Sequence, residues 1–550
     1  MASESTRTEA RFPCERRSGS PLASRQRPPV TVPPKSIVTG GYLMAIQAGG
    51  VTFSRHNKKV PLPKGGNQTP MASEDLTPWQ PSASDPWDMK KVRHLGRRAG
   101  FGLRPEEAET LTTVGHKLAI DIFLLVPHHT IPERGTYLLP NGEVVNLSNY
   151  GHQVATWLWL MNNSPWQLQE KMAMFWHDHF SIGVGTVRYP ELLARHVNWL
   201  RRLSLSPFKF LLLAVTIDPG MLYFLDNRIS TSLKPNENYA REIQELYSMG
   251  VGGGYTETDI QEAARALTGI TNILDYQFYN ARSHDNGSKT VLGKTLNNGS
   301  GVNAIVRDMV GVVDAILAHP STATYMVTKI WEYFVYENPS QALVDKLAAR
   351  WRKDNYDIRA LMETIFRSKA FYSTAAMRTL VKNPAEYVVG MMRNTYTTNI
   401  SYIRTANRFL GMGLPLLNYP GPEGMPDGTA WINSQNVFNR INYATQFIQQ
   451  RDWPRNSPRG PLLSTMNPER EIKRKNLDTA TPDAIVDYYL ELLTDSSVPK
   501  KVRDDLVAYM TKTNTGTRTW SYATQPAREL NQKVSNLIHL IQGLPEAHIN

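Results

Sequence analysis

Cysteine is almost missing from this chain: there is one among 550 residues, Cys14, inside a segment rich in Arg, Ser and Pro. Without thiols, the rest of the chain has no disulfide, no thiolate-bound zinc and no cysteine nucleophile. Long hydrophobic runs are missing too. Apolar residues make up 41%, enough for a sizeable core, yet no uncharged run of about twenty strongly apolar residues is there to cross a bilayer. A basic surface is the third absence. The formal net charge is +12, but residues 1–70 carry eleven Lys and Arg against three Glu, so the remainder is nearly balanced. That leaves no basic stripe for a phosphate backbone, and nucleic acid is not an expected partner. There is also no Gly-x-Ser-x-Gly elbow, no HExxH helix and no fixed-period repeat.

What is present begins with a basic leader. Residues 1–75 are expected to be disordered, the PPVTVPPK run at 28–35 reading as extended and unpacked. Ser36 to Phe53 is uncharged between Lys35 and Arg55. Four glycines interrupt it, and it lies too far from Met1 for a signal peptide unless translation starts elsewhere. The Arg16-Arg17 pair lacks the apolar continuation of a twin-arginine signal. Export and a cytoplasmic location both stay open.

From Pro86 the apolar spacing is helical nearly throughout, so residues 76–550 read as one large, mainly α body, with two lobes as an option and small β-hairpin insertions. Helices are expected at Trp87–Gly100, Pro105–Val126, His152–Asn163, Val302–Ala318, Ser321–Tyr336, Ser340–Lys353, Ile358–Ser368, Pro384–Met392, Pro482–Thr494 and Arg528–Gln542. Ser164-Pro165, Ser206-Pro207 and Asp218-Pro219 read as a capping residue followed by proline in the first turn. Pro140-Asn141-Gly142 predicts a hairpin over Tyr137–Leu147, and Leu274–Tyr279 predicts another short strand.

Four segments carry candidate chemistry. In Phe175-Trp176-His177-Asp178-His179-Phe180, two histidines two residues apart point about 200° from one another on a continuous helix. A shared metal therefore requires the helix to end near Trp176. Otherwise His179 faces inward and His177 is the functional ring. In Lys234–Gly269, Glu242 and Glu245 lie one turn apart beside Arg241 and Asn238. That pair can bind a divalent cation, divide into acid and base, or form ion pairs with Arg241 and Arg265. The following VGGGYT turn at 251–256 lacks the Gly-Lys-Ser/Thr of a phosphate loop. The loop Ser283–Lys289 offers His284, Asp285 and Lys289 for ligation or contact, or a turn built by Asp285 to Gly287. Gly411–Asn439, dense in Gly and Pro, reads either as a lid whose Trp431 forms a platform for a polar ring such as a sugar, or as a connector packing Trp431 inward.

Together these segments, with RHLGRRAGFG at 93–102, DPGMLYFLDN at 218–227, HPSTATYMVTKIWEYFV at 319–335 and GMPDGTAWINS at 424–434, resemble a bacterial family catalogued as domain of unknown function 1800. The resemblance runs over most of the body. It implies a largely helical, often exported protein, sometimes encoded beside a sulfatase-like partner, and brings no agreed activity. The chain departs from the family pattern at Asp178, where Asn is usual, and at Asn286, where proline is usual.

The expected function is that of an enzyme, with hydrolysis the leading reaction. Its cleft would join His177, His179, Arg241, Glu242, Glu245, Arg265, His284 and Asp285, with or without a divalent ion as cofactor. Glu242 or Glu245 would be the base or a ligand, His177 a proton donor or ligand and Arg241 an anion clamp, while His179, His284 and Asp285 would be further ligands. Asn238, Lys289 and Trp431 would touch substrate. The rival is a non-catalytic exported surface, assembly or polysaccharide-binding protein, with a polar polymer or carbohydrate as partner.

Overall fold

The computed structural model describes residues 42–47, 50–55, 74–127, 130–273, 275–395, 397–448, 465–466, 468–477, 480–512 and 527–550. Most of the expected leader lies outside them. The first unit, Met1–Pro70, contributes one antiparallel hairpin, Tyr42–Gln47 with Gly50–Arg55, in the register Tyr42 to Arg55. The second unit, Met71–Asn550, holds 22 α-helices among its described residues and four further two-stranded antiparallel sheets. One connected apolar core runs through it from Trp79 to Ile541, and a small satellite of Leu139, Val145 and Leu147 lies under the first of these hairpins. Two separate lobes are not needed to describe it.

Local chemistry explains most of the element boundaries. Val302–Ala318 and Pro482–Thr494 form over the expected residues. The expected helical stretch 105–126 divides into Pro105–Val114 and His116–Leu124 at Gly115, whose φ of 81° suits glycine. Asp218 caps Pro219–Phe224 by accepting from the Gly220 and Met221 N–H groups, with Pro219 in the first turn. The other two proline starts differ. The Ser164 N–H closes the preceding helix on the Leu160 carbonyl at 2.8 Å, and its hydroxyl accepts from the Trp166 N–H at 3.1 Å. Pro165 therefore sits in the turn, and the next helix starts at Gln167. Pro207 is itself the cap of Phe208–Ile217.

The hairpins follow turn chemistry. Thr136–Leu138 pairs with Val144–Asn146 around Gly142, as the Pro-Asn-Gly turn predicts. Tyr276–Tyr279 pairs with Ile270–Ile273, while the expected start at Leu274 falls outside the described residues. A further hairpin, Lys289–Val291 with Lys294–Leu296, occupies part of the segment expected to be a functional loop.

The helix Gln167–His179 organises the second unit: every residue of it except Asp178 is buried. Trp176 stacks with Phe180 and Phe208 at 5.8 and 5.7 Å, which accounts for its apolar side. Its charged residues need internal partners. Glu170 receives Arg201 through Nε at 2.9 Å and Nη2 at 2.8 Å, with both side chains essentially inaccessible to solvent. Lys171 pairs with Glu386, whose other oxygen accepts the Asn383 N–H and so caps the helix Pro384–Asn394. A buried pair of this kind contributes little net stability, but removing one member strands the other charge in the interior. Glu170→Gln is expected to cost about 3 kcal/mol or more in urea unfolding. Replacing Glu170 and Arg201 together by Met should recover most of the loss. A single substitution within experimental error of wild type would contradict the ion pair.

Candidate functional site

The core helix ends where a pocket begins. Asp178 and His179, at its last turn, line a pocket of about 300 Å³. The helix Pro320–Phe334 contributes Lys329, Glu332 and Tyr333, the helix Pro384–Asn394 contributes Glu386, and the 427–431 segment contributes Asp427, Thr429 and Trp431. Trp431 is 5% exposed and belongs to the apolar core as well as to the pocket wall. Trp431 packs inward, as the connector alternative expects, and is one of the residues lining the cavity.

The loop that brings Asp427 in is fixed against the helix end. The Met425 N–H donates to Asp178 Oδ1 at 2.9 Å, and the preceding Gly424 has φ of 76°. A Cβ at Gly424 would run into the Asp178 main-chain oxygen, so only glycine allows this approach. At the other end of the pocket, Gly428 lies close against Glu337.

Burial dominates the electrostatics. It pushes the Asp178 carboxyl up to about 7, helped by the charge of Asp427 and opposed by the Met425 N–H and Lys329. Asp427 is pushed up to about 6, again by burial first, with Lys329 opposing and Glu386, Glu337 and Glu332 adding to the rise. The two carboxyls influence each other through charge, without a hydrogen bond between them. Lys329 has no ion-pair partner within 4.0 Å among the described residues; its ammonium lies 5.6 Å from the Tyr325 ring centre.

The other expected site residues are dispersed. His177 and His179 lie on one continuous helix and do not converge. His177 is fully buried, accepts the Leu417 N–H at Nε2 (3.1 Å) and stacks on Tyr419 at 4.7 Å. Burial holds its pKa well below the usual imidazole range, so the ring sits in the core as a neutral acceptor rather than in the cleft as a proton donor. His179 is bonded through Nε2 to the Tyr247 carbonyl at 3.0 Å and is likewise held neutral by burial.

Arg265 is clamped by Asp285, through Nε at 2.8 Å and Nη2 at 3.2 Å, and by Glu262 at 2.7 Å. His284 bridges the Thr268 carbonyl and Asp308, and the buried Lys289 ammonium pairs with the same Asp308 carboxyl at 2.7 Å. These four residues form a scaffold that staples the 289–296 hairpin to its neighbours, because Coulombic and hydrogen-bonding partners saturate each of them. Lys289 has no free face for substrate, and His284 and Asp285 do not join the two helix histidines. Among the described residues, no group of three or more His, Cys, Asp or Glu side chains is placed to hold a metal ion.

Arg241 is engaged by Glu257 in two parallel bonds of 2.9 and 2.7 Å, with Glu237 at 3.7 Å. Arg241 is thus ion-paired, but with Glu257 rather than with Glu242 or Glu245, and Arg265 pairs with neither of those two carboxylates among the described residues. Glu242 has no hydrogen-bond or ion-pair partner among the described residues and is pushed up to about 7 by burial and by Glu245 and Glu423. The helix Glu237–Gln244 changes to π winding over Glu245–Met249, so Glu245 stands at the change of pitch. Asn238 is exposed. Of the residues named from sequence, His179 and Trp431 line the pocket together with Asp178; Asp427, Lys329, Glu332 and Glu386 were missed. The Pro-Asp-Gly step at 426–428 was the available signal for Asp427, since proline fixes the chain before it and glycine allows the positive φ of 62° after it, a turn pattern that presents the aspartate at a loop.

Two outcomes test this geometry. Both raised carboxyls bind protons in the folded chain that the unfolded chain has already released. Their contribution to stability is therefore present near pH 4 and lost as pH rises through about 6 to 7. Asp178→Asn should flatten the fall of unfolding free energy over that window by on the order of 1 kcal/mol or more. Identical pH profiles for variant and wild type would contradict the assignment. Gly424→Ala should cost about 1–3 kcal/mol by thermal or urea unfolding, through backbone strain and the contact with Asp178.

No curated protein and no solved structure matches this chain. The family model described as "Protein of unknown function (DUF1800)" matches residues 94–548, most of the second unit and all of the pocket. The order and span of that match show that the chain belongs to the DUF1800 family.

Proposed function

We propose that this chain is a hydrolase that cleaves glycosidic bonds, with Asp178 and Asp427 as its acid and base. One observation carries the reading: two carboxyls without an ion-pair partner among the described residues, and one lysine in the same condition, converge on a pocket of about 300 Å³ walled by Trp431. That volume suits a single sugar ring, and an aromatic wall with polar neighbours suits its alternating faces. The excess of carboxylates over the single free lysine disfavours phosphate, sulfate or carboxylate substrates. A neutral polar substrate fits best.

The chemistry needs one carboxyl protonated and the other ionised near neutral pH. Asp178, at about 7, and Asp427, at about 6, are suited to that division. The protonated carboxyl gives its proton to the leaving oxygen as the glycosidic C–O bond breaks. The ionised one takes a proton from a water whose oxygen bonds to the sugar carbon. Lys329 offsets the negative charge of the ionised member and of the neighbouring glutamates. This assignment moves the acid and base roles away from Glu242, Glu245 and His177, and leaves Arg241 and Arg265 as structural ion pairs.

Release of p-nitrophenol from aryl glycosides, and of reducing ends from neutral polysaccharides, is the assay. Wild type should turn over at least one of them with a bell-shaped pH dependence. Asp178→Asn and Asp427→Asn should each lower kcat about 10²–10⁴-fold without altering the circular dichroism. Undiminished turnover in either variant would overturn the roles. Saturable sugar binding without turnover would favour the non-catalytic binding protein.

A further inference from the structure

Arg440, on the helix Ser434–Ile448, is 0% exposed, and none of its three guanidinium nitrogens has a partner among the described residues. An unpartnered guanidinium in the interior costs several kcal/mol, because its hydration is lost and nothing replaces it. Its carbon lies 5.7 Å from the centre of the Tyr387 ring. His548 stacks on that same ring at 4.8 Å and 7°. Neither His548 ring nitrogen makes a well-formed bond, and its nearby acceptor, the Gln542 carbonyl, also takes the Tyr387 hydroxyl at 3.2 Å. An unpartnered guanidinium and a weakly held imidazole therefore adjoin one aromatic ring in the core.

The surrounding layer is cationic. Arg98 donates to the Ala376 oxygen at 2.6 Å, Lys382 to the Ala547 carbonyl at 2.8 Å and Arg378 to the Glu546 carbonyl. None of Arg98, Arg378, Lys382 or Arg440 has a side-chain carboxylate within ion-pair distance among the described residues. Asp495 is taken by Arg97, and Glu386 by Lys171. Burial lowers Arg440 and Arg378 to about 10 and Arg98 to about 9, so the cations strain against their own desolvation.

We propose that Arg440 and His548 hold a single small monovalent anion of the halide class, buried beside Tyr387. Water would satisfy the N–H groups but add no negative charge to a layer whose nearest carboxylates, Glu386 and Asp495, are already paired with Lys171 and Arg97, whereas an anion does both. Full enclosure favours one charge over two, because the cost of stripping water from an ion rises steeply with its charge. That sets a halide above sulfate or phosphate. The bound ion would join the helix Ser434–Ile448 to the 545–550 segment, which already pairs with 380–382 through Lys382 N–H to His548 O and Asn550 N–H to Leu380 O. This site adjoins the Asp178–Asp427 pocket, whose wall includes Leu380, Val381 and Glu386, but its test needs no turnover there.

Crystals of the full chain soaked in sodium bromide should show an anomalous peak against the Arg440 guanidinium. In solution, Tm should rise with the logarithm of chloride or bromide concentration relative to sodium gluconate at equal ionic strength. Arg440→Met should lose that rise. His548→Phe, which keeps the stack on Tyr387, should weaken it, and serves if the arginine variant fails to fold. Absence of a bromide peak at Arg440 overturns the proposal. So does a peak accompanied by the same halide response in wild type and variants, which would mean an adventitious ion only.

Discussion

Charge inside the core helix is the constraint on which the rest of this fold depends. Gln167–His179 is surrounded by apolar side chains, yet it carries Glu170, Lys171 and Asp178. The first two are neutralised by single partners from distant helices, Arg201 and Glu386. Each partner ties a separate helix to the centre at a fixed register, since a guanidinium or ammonium displaced by one turn would leave two stranded charges. Asp178 receives no such partner. Among the described residues its carboxyl takes one hydrogen bond, from the Met425 main chain, so the carboxyl that is not neutralised is the one left facing a cavity.

The same division separates paired from unpaired charge among the described residues. Arg241 with Glu257, Arg265 with Asp285 and Glu262, and Lys289 with Asp308 are saturated pairs, and a saturated pair has little left to give a ligand. Asp178, Asp427, Glu242 and Lys329 are not saturated. The first three have pKa values raised by desolvation and by neighbouring carboxylates, although Asp427 is itself exposed and Asp178 and Glu242 are half-buried.

The helical architecture was legible from sequence because its causes are local. Val302–Ala318 follows from apolar spacing alone, and Asp218-Pro219 from a side chain that satisfies two orphan N–H groups. The 289–296 hairpin was illegible for an equally local reason: its turn places Leu292 at φ 49° beside Gly293 at 77°, where Asn-Gly would ordinarily announce such a turn. The candidate site was legible only as segments. Asp178 and Trp431 lie in stretches that attract notice, but Lys329 and Glu332 read as the solvent side of an amphipathic helix, and nothing in spacing tells that this side faces Asp427. The charged helix 237–244 drew attention for its density of charge, whereas the structure pairs its Arg241 with Glu257 across the glycine turn and leaves Glu242 outside the pocket. Convergence is a tertiary property, and density along the chain is a poor proxy for it.

The π turn at Glu245–Met249 adds a mechanical link between two of these regions. Widening the helix there turns the Leu246 and Tyr247 carbonyls toward other elements, where the Tyr325 hydroxyl donates to the first at 3.1 Å and His179 bonds the second at 3.0 Å. Tyr325 also packs against Gly250, the residue that ends the turn: a Cβ there would stand 2.8 Å from its ring. The pitch of one helix is thereby read by His179, which lines the pocket, and by Tyr325, on the helix that brings Lys329 to it. Rewinding those five residues to α pitch would withdraw both acceptors together, so the pocket wall and the carboxylate helix behave as a single gear train rather than as neighbours that merely touch.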